Sequence, residues 1–533
     1  MLKYIIPFFS ILTLSLSSFA GYAADSKAVY GDSLIVGTIG EPSVLIPLLA
    51  SDGASHDVAG MLYNGLVKYD TDLTLIGDLA ESWDISDDGL MITFHLRKGV
   101  TWEDGVAFTA EDVDFGFKTI IDPKTPTAYA EDFRQVKKAE VVDPYTFRVT
   151  YEKPFAPALS SWGSLVVLPR HLLSGKDITQ SELRRKPLGL GRFTFKDWMP
   201  GEKLILEANK KYFGGRPFLN NYIYRFIPDS ATLFLELQAG SVDEMALTPL
   251  QFTRQTDSKY FTENFRKFKY PASNYTYFAF NFLHPWFQDI RVRQAMAYGI
   301  DKKEIVDGVL LGLGEPSTGP YIPGTWPCNP SVKRYDYNPE MAKKLLAEAG
   351  WIDSNNDGIR EKDGVPFEFT ILTNMGNALR LNTATIIQWR LEMVGIKVHI
   401  RVLEWSAFIN EFIDKKRFQA VLLGWSIGLD PDQYDIWHSS KTGEKELNFI
   451  SYKNPEVDEL LEKGRRVFKI EERKKIYYRL QEILAEEVPY IFLYVPYALP
   501  VIHARFKNIT PSPIGIGYNV EQWYVPMLSL IHI

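Results

Sequence analysis

Cysteine is almost absent from this chain: Cys328 is the only one among 533 residues. An intramolecular disulfide is therefore impossible, and no cysteine cluster exists to hold a metal. The 8 histidines are scattered, without the paired spacing of a zinc-binding helix. P-loop and dinucleotide fingerprints are missing as well. No internal repeat or low-complexity linker interrupts the chain, so its parts are intimately connected rather than strung out. The net charge of −7 offers no bulk attraction to nucleic acid or an anionic membrane. Beyond the N-terminus, no run is long and apolar enough to cross a bilayer, which takes about 20 residues.

What is present begins with an export signal. Lys3 precedes an apolar run from Tyr4 to Leu16, and Gly21-Tyr22-Ala23 or Ser18-Phe19-Ala20 supplies a small-x-small cleavage site. The alternative is an uncleaved anchor, but the apolar core is short for a span. With no cysteine at the cleavage region, a lipid anchor is not expected. An exported chain without disulfides or lipid fits a bacterial periplasm. The length calls for two or three domains. A 46% hydrophobic composition with 12 Trp and 28 Tyr supplies a large core and rings for a ligand cleft.

The densest local signals lie between Leu79 and Val113. Asp87-Asp88-Gly89 and Asp104-Gly105 are turns. Ile92, Phe94 and Leu96 alternate with Thr93, His95 and Arg97 as in a half-buried strand. Thr109 opens a helix as its cap. Further along, helices are expected over His56–Leu66, Ala231–Ala239, Asp289–Tyr298, Leu379–Val394 and Glu471–Glu487. Asn338-Pro339 and Asn454-Pro455 each start another. Strands are expected over Leu34–Thr38, Tyr275–Phe282, Phe367–Thr373, Phe418–Leu423 and Ile491–Val501. The fold class is mixed α/β.

These segments, in this order, resemble family 5 extracellular solute-binding proteins, the peptide, dipeptide, oligopeptide and nickel binders that feed ABC importers. The likeness covers the Leu79–Val113 block, Gly65-Leu66-Val67-Lys68-Tyr69-Asp70 before it, and Leu188-Gly189-Leu190-Gly191-Arg192-Phe193 after it. It continues through Leu237-Gln238-Ala239-Gly240-Ser241-Val242-Asp243, Asp289–Ala295 and Ile300-Asp301-Lys302. The resemblance implies a two-lobed, type II-like periplasmic clamp with an extra inserted small domain. Its expected division is a signal peptide at 1–23, a discontinuous lobe I at 24–57, 188–283 and 498–533, an inserted domain at 58–187, and lobe III at 284–497. It also implies a ligand held between the lobes, a membrane permease as partner, no cofactor, no catalysis and a monomeric state. A sensor or a periplasmic chaperone built on the same fold is an alternative.

Several residues are candidates for the site. Gly424-Trp425-Ser426-Ile427-Gly428 matches the G-x-S-x-G nucleophile elbow and follows a strand. A hydrolase using Ser426 is therefore an alternative, although Leu429-Asp430-Pro431 stands where a helix should begin. The same segment resembles the family's Gly-Trp ligand loop. There an acid would meet the ligand's ammonium, but Gly428 occupies that place, and the next acid is Asp430. Asp430 and Asp432 also read as turn and cap residues. Gly40, Glu41, Pro42 and Ser43 match the first-lobe segment that pairs with an extended peptide backbone, although Pro42 has no N–H to offer. Tyr275, Tyr277, Trp405 and Tyr434 are candidate cleft rings, with core packing as the other reading. His438 lies near the Gly-Trp loop. Asp353-Ser354-Asn355-Asn356-Asp357-Gly358 copies half a calcium loop, but Gly364 stands where its final Glu belongs.

Overall fold

A computed structural model describes residues 28–527, apart from Ser51, Ala128, Pro513 and the side chain of Ser406. The signal peptide expected over 1–23 lies outside the described residues. The alternation in Met91–Leu96 buries Ile92, Phe94 and Leu96. That strand sits in a four-stranded antiparallel sheet with Ala80–Ile85, Thr146–Tyr151 and Val136–Asp143. Gly89 turns the first hairpin at φ 68°. Helix Ala110–Ile121 opens on Thr109, whose N–H donates to Asp112 at 2.9 Å in a capping box. Trp162 fills the centre of this unit, its ring 5.3–5.9 Å from Phe94, Phe117, Phe133 and Phe147. Its indole N–H, which burial would otherwise strand, donates to the Tyr151 hydroxyl at 2.9 Å.

Two seven-stranded sheets and two short two-stranded ribbons, Val67–Tyr69 with Leu75–Gly77 and Glu361–Lys362 with Val365–Pro366, complete the strands of the described residues. The first runs, in spatial order, Phe265–Lys267, Pro500–His503, Glu244–Ala246, Ser33–Thr38, Asn221–Phe226, Lys203–Ala208 and Phe193–Met199. The second runs Tyr270–Pro271, Tyr490–Ala498, Asn274–Phe280, Ala420–Ser426, Glu368–Asn374 and Lys397–Leu403, with Gly314–Pro316 added beside Tyr490–Ala498. Helix Ala378–Glu392 joins Glu368–Asn374 to its parallel neighbour Lys397–Leu403, as a parallel crossover requires.

The strand expected over Ile491–Val501 is two strands in different sheets. Tyr490–Ala498 belongs to the second sheet and Pro500–His503 to the first. The change of sheet falls at Leu499, whose carbonyl accepts from Leu247 N–H in the first sheet's territory. A second crossing lies alongside, between Phe265–Lys267 and Tyr270–Pro271: Phe268 N–H donates to the Pro500 carbonyl at 2.9 Å, and Tyr270 pairs with Ala498. Every strand of the second sheet lies between Tyr270 and Ala498, and every strand of the first lies outside that range. The chain thus passes between the sheets at two adjacent points. The division expected after 283 falls later than the change of sheet, because Asn274–Phe280 hydrogen-bonds in the second.

Helix Gly53–Leu62 begins earlier than expected, because the Asp52 carboxylate caps it by accepting Ser55 N–H at 2.8 Å, and it ends earlier because the backbone turns extended at Tyr63. The Gly-rich return segment packs against its end. A Cβ on Gly189 would come 1.8 Å from the Leu62 carbonyl oxygen, and Gly191 N–H donates to that oxygen at 2.8 Å. The first sheet is locked by Arg505, which is buried with Asp32 and Asp243. It pairs with the Asp32 carboxylate and with Asp243 at 2.8 Å, while Asp243 accepts Ile35 N–H at 3.0 Å. This ties the first strand to the returning C-terminal segment. Replacing Arg505 by Met removes the cation that two buried carboxylates share. Urea unfolding should register a loss of about 3–5 kcal/mol in the transition that includes this sheet.

Candidate ligand-binding cleft

The second sheet presents the Gly-Trp strand Ala420–Ser426 antiparallel to Asn274–Phe280, with Trp425 opposite Tyr275 and Leu423 opposite Tyr277. The strand period of two puts Tyr275 and Tyr277 on one face. Both are 1% exposed. Tyr277 stacks on Tyr490 at 4.2 Å, Tyr275 lies 5.5 Å from Phe492, and Trp437 lies 4.5 Å from Tyr490. The structure therefore places Tyr275 and Tyr277 in an aromatic core rather than on an open wall. The tips of this core are not all satisfied: the Tyr275 hydroxyl and the Trp437 indole N–H have no partner among the described residues. Trp425 is half-buried over Phe449, and its N–H points to the Tyr490 hydroxyl at 3.4 Å. Trp405 remains 42% exposed.

The loop after this strand is braced by charge. Ser426 is exposed at the strand's last position, and helical structure resumes only at Tyr434–Trp437. The tight strand-to-helix turn of a nucleophile elbow is thus not formed. Gly428 is exposed within the loop. Asp430 is held in a two-pronged pair by Arg473 at 2.8 and 3.0 Å. Asp432 is held by Arg465 at 2.6 Å. Each also closes a local turn, Asp430 accepting Asp432 N–H at 3.0 Å and Asp432 accepting Tyr434 N–H at 3.2 Å. Asp430 is thus a neutralised structural acid. Tyr434 lies between the His438 ring at 4.1 Å and the Arg465 guanidinium at 4.0 Å.

The first-lobe segment is tied down in the same way. Glu41 accepts from Trp198 Nε1 at 2.7 Å and from Gly201 N–H at 3.0 Å, which pins it to the Phe193–Ala208 hairpin. Ser43 N–H donates to Ser55 Oγ at 2.9 Å, and its hydroxyl donates to Asp52 at 2.5 Å. Pro42 is buried, and Gly40 N–H is taken by Thr38 Oγ1 at 3.0 Å. Glu41 and Ser43 therefore act as braces of the loop. The Asp353–Gly358 segment also closes on itself: Gly358 N–H donates to Asp353 and Asp357 N–H to Asn355. Among the described residues no group of three or more His, Cys, Asp and Glu gathers as for a metal.

Two features escaped the sequence reading. The first is Arg380, in the opening turn of helix Ala378–Glu392. One of its guanidinium nitrogens donates to Asn374 Oδ1 at 2.8 Å. The other lies 2.9 Å from where a Cβ on Gly424 would stand. The same Cβ would stand 2.9 Å from the Tyr275 carbonyl oxygen, so glycine at 424 leaves room for the neighbouring strand and the guanidinium together. Burial holds its pKa below the usual arginine range, and no carboxylate pairs with it among the described residues.

The second is a charged bridge from the four-stranded unit to the second-sheet lobe. Helix Glu131–Arg134 supplies Asp132, which meets Arg465 at 2.9 Å, and Glu131, which meets Lys441 at 2.5 Å. Ala156 N–H adds a bond to the Arg465 carbonyl at 2.6 Å. Glu131, Asp132, Asp432 and Asp435 face the two cations Arg465 and Lys441, with the Asp430–Arg473 pair beside them. Burial, which Arg465 opposes and neighbouring acids reinforce, raises Asp132 to about 6 and Asp435 to about 7. Asp435 Oδ1 has no hydrogen-bond partner among the described residues.

The sign of this linkage follows. Both acids sit above the ordinary aspartate value of 3.8 when the bridge is closed. The closed state therefore keeps protons that the opened, hydrated state gives up between pH about 4 and about 7. Closure is favoured at the acid end of that window and weakens as pH rises through it. X-ray scattering should show the ligand-free protein expanding from pH 5 to pH 8, and Asp435→Asn should flatten that change. A wild-type radius of gyration independent of pH would contradict the assignment.

With this geometry established, comparison with known proteins gives one answer. The model of the bacterial extracellular solute-binding proteins, family 5, middle region, matches residues 74–446. The oligopeptide-binding protein AppA of Bacillus subtilis is 35% identical over 510 residues, covering 94% of this chain and 92% of its own. Its structure in complex with a nonapeptide superposes with a TM-score of 0.87 at 34% identity, covering 94% of this chain and 100% of that one. NikZ from Campylobacter jejuni, solved in complex with Ni(L-His), gives 0.85 at 30% identity over 92% of this chain and 99% of its own. Heme-binding protein A of Haemophilus influenzae is 30% identical over 526 residues, covering 92% of each chain. This chain belongs to the family 5 bacterial extracellular solute-binding proteins.

Proposed function

We propose that this protein captures a peptide or a related small solute between its two lobes and delivers it to the permease of an ABC importer, without chemistry of its own. The observation that carries the reading is the clamp. Two sheets are joined at two adjacent strand crossings, and Arg465 and Lys441 bridge the second-sheet lobe to Asp132 and Glu131 of the four-stranded unit. Such a body opens by hinge motion and closes on whatever adds contacts to both sides. The lobes divide at the crossings: 28–57, 188–269 and 499–527 form the first, with 58–187 inserted, and 270–498 form the other.

Within the cleft, Arg380 is the anchor for a ligand carboxylate. It is a half-buried guanidinium without a counter-charge, which gives a charged partner a stronger hydrogen bond than water does. Trp405, Trp425, Ser426, Gly428 and Tyr434 remain the surfaces for the rest of the ligand, and Gly40 serves by holding the first-lobe loop through Thr38. Asp430 contributes through Arg473 by fixing the loop. The relatives support this range of cargo, since AppA is named for oligopeptides and was solved with a nonapeptide, whereas NikZ was solved with Ni(L-His).

Family membership places the working protein outside the cytoplasm, in the periplasm or beyond. Among the described residues no helix is long and apolar enough to cross a membrane. Export by a cleaved leader, a monomeric state and the absence of a lipid anchor complete the proposal.

Tryptophan fluorescence and calorimetry against a peptide library test the reading. Peptides with free C-termini should bind wild type, and Arg380→Ala should raise their Kd about tenfold or more while changing that of C-terminally amidated peptides little. Equal losses for both classes would remove Arg380 as the carboxylate anchor. No response to any peptide or chelate in wild type would remove solute capture.

A further inference from the structure

A cavity in the second-sheet lobe is lined by neither Arg380 nor the Gly-Trp loop. It encloses about 770 Å³ between residues 297–337 and 474–492, a size typical of small-molecule sites. All of its lining belongs to the second-sheet lobe, so opening or closing the clamp leaves it intact. Its outer wall, the strap from Ser317 to Tyr337, is held in place. Asn329 N–H donates to Gln481 Oε1 at 3.0 Å, and Gln481 Nε2 donates to the Pro327 carbonyl at 2.7 Å. Both bonds are buried on the long helix Ile470–Glu487.

The lining reverses the sign of the whole protein. Lys302, Lys333, Arg334 and Lys474 line it, and among the described residues none of them makes an ion pair. The acids there are Asp301, whose carboxylate already caps a helix by accepting Glu304 N–H at 3.0 Å, and Asp336. Lys302 is drawn inward, its Nζ donating to the Ser317 carbonyl at 3.0 Å, and burial pulls its ammonium down to about 8. Lys303 is satisfied elsewhere, by Asp307. Rings stand among the cations: Lys333 lies over Tyr335 at 4.9 Å and Lys474 over Tyr478 at 5.4 Å, with Trp326 also in the wall. A chain with net charge −7 and many surface ion pairs thus gathers four cations without an ion pair around one hollow, where they outnumber Asp301 and Asp336.

We propose that this cavity is a second binding site, for a small organic anion with a flat ring. Its phosphate or carboxylate would be held by Lys302, Arg334 and Lys474, and its ring would lie against Tyr335, Tyr478 or Trp326. Occupancy does not require closure, so the ligand is carried in either state of the clamp. This makes it chemically and mechanically distinct from the transported solute.

Calorimetry on the full chain with three probes tests this. AMP carries a ring and a phosphate, hippurate a ring and a carboxylate, and adenosine a ring without charge. Saturable one-to-one binding of AMP or hippurate is expected, with adenosine at least tenfold weaker; which anion binds tighter identifies the head group. The variant Arg334→Gln/Lys474→Gln should weaken the binding at least tenfold, whereas Arg380→Ala, which acts in the cleft, should leave it unchanged. Lack of saturable binding by both anions would overturn the proposal. Adenosine binding as tightly as AMP, or a loss seen in Arg380→Ala but not in the double variant, would overturn it as well.

Discussion

The paired crossing at Phe268 and Leu499 is the constraint on which the rest depends. The two segments are antiparallel neighbours, hydrogen-bonded through Phe268 N–H to Pro500 and through Tyr270 with Ala498. Because they lie side by side, they form one axis rather than two separated tethers. Rotation about that axis needs small changes in a few backbone torsions and leaves both sheets intact. Each lobe then needs a core of its own. The first has Trp162 and its ring of phenylalanines beside the Arg505 lock, and the second has the Tyr275–Tyr277–Tyr490–Trp437 stack.

The charged bridge between the four-stranded unit and the second-sheet lobe decides which state is populated. The bridge brings more carboxylate than cation out of water. Removing charge from water costs more than an imperfect pairing returns, so a modest surplus of acid keeps closure from being permanent. A ligand with its own contacts to both sides can then tip the balance. On this view Asp430 has a quiet role. Bound to Arg473, it shapes the loop between the Gly-Trp strand and the bridge, and Asp432 passes the same support to Arg465.

Local order was legible in the sequence wherever backbone chemistry is local. Thr109, Asn338 and Asn454 all cap the helices they were expected to open. Gly240, Gly350 and Gly395 take positive φ just past the ends of helices, the place a glycine stop marks. The split at Leu499 was hidden because both strands are apolar and continuous, and only their partners differ. The alternation of Tyr275 and Tyr277 reads equally well as a core face and as a cleft wall. Asp132 and Arg465 stand 333 residues apart, and no periodicity links such a pair. Arg380 had one trace in the sequence, the glycine at 424 that makes room for it, but a glycine does not name its neighbour.

The central claim is a clamp that turns about the paired crossing. The most direct test measures distances between spin labels at Lys153→Cys and Lys463→Cys, one on each side of the bridge, in a Cys328→Ser background. The account predicts a long, broad distribution without ligand that collapses to a short, narrow one when a bound peptide is added, while a pair of labels within either lobe stays fixed. An unchanged cross-bridge distance in the presence of a peptide shown to bind would contradict it.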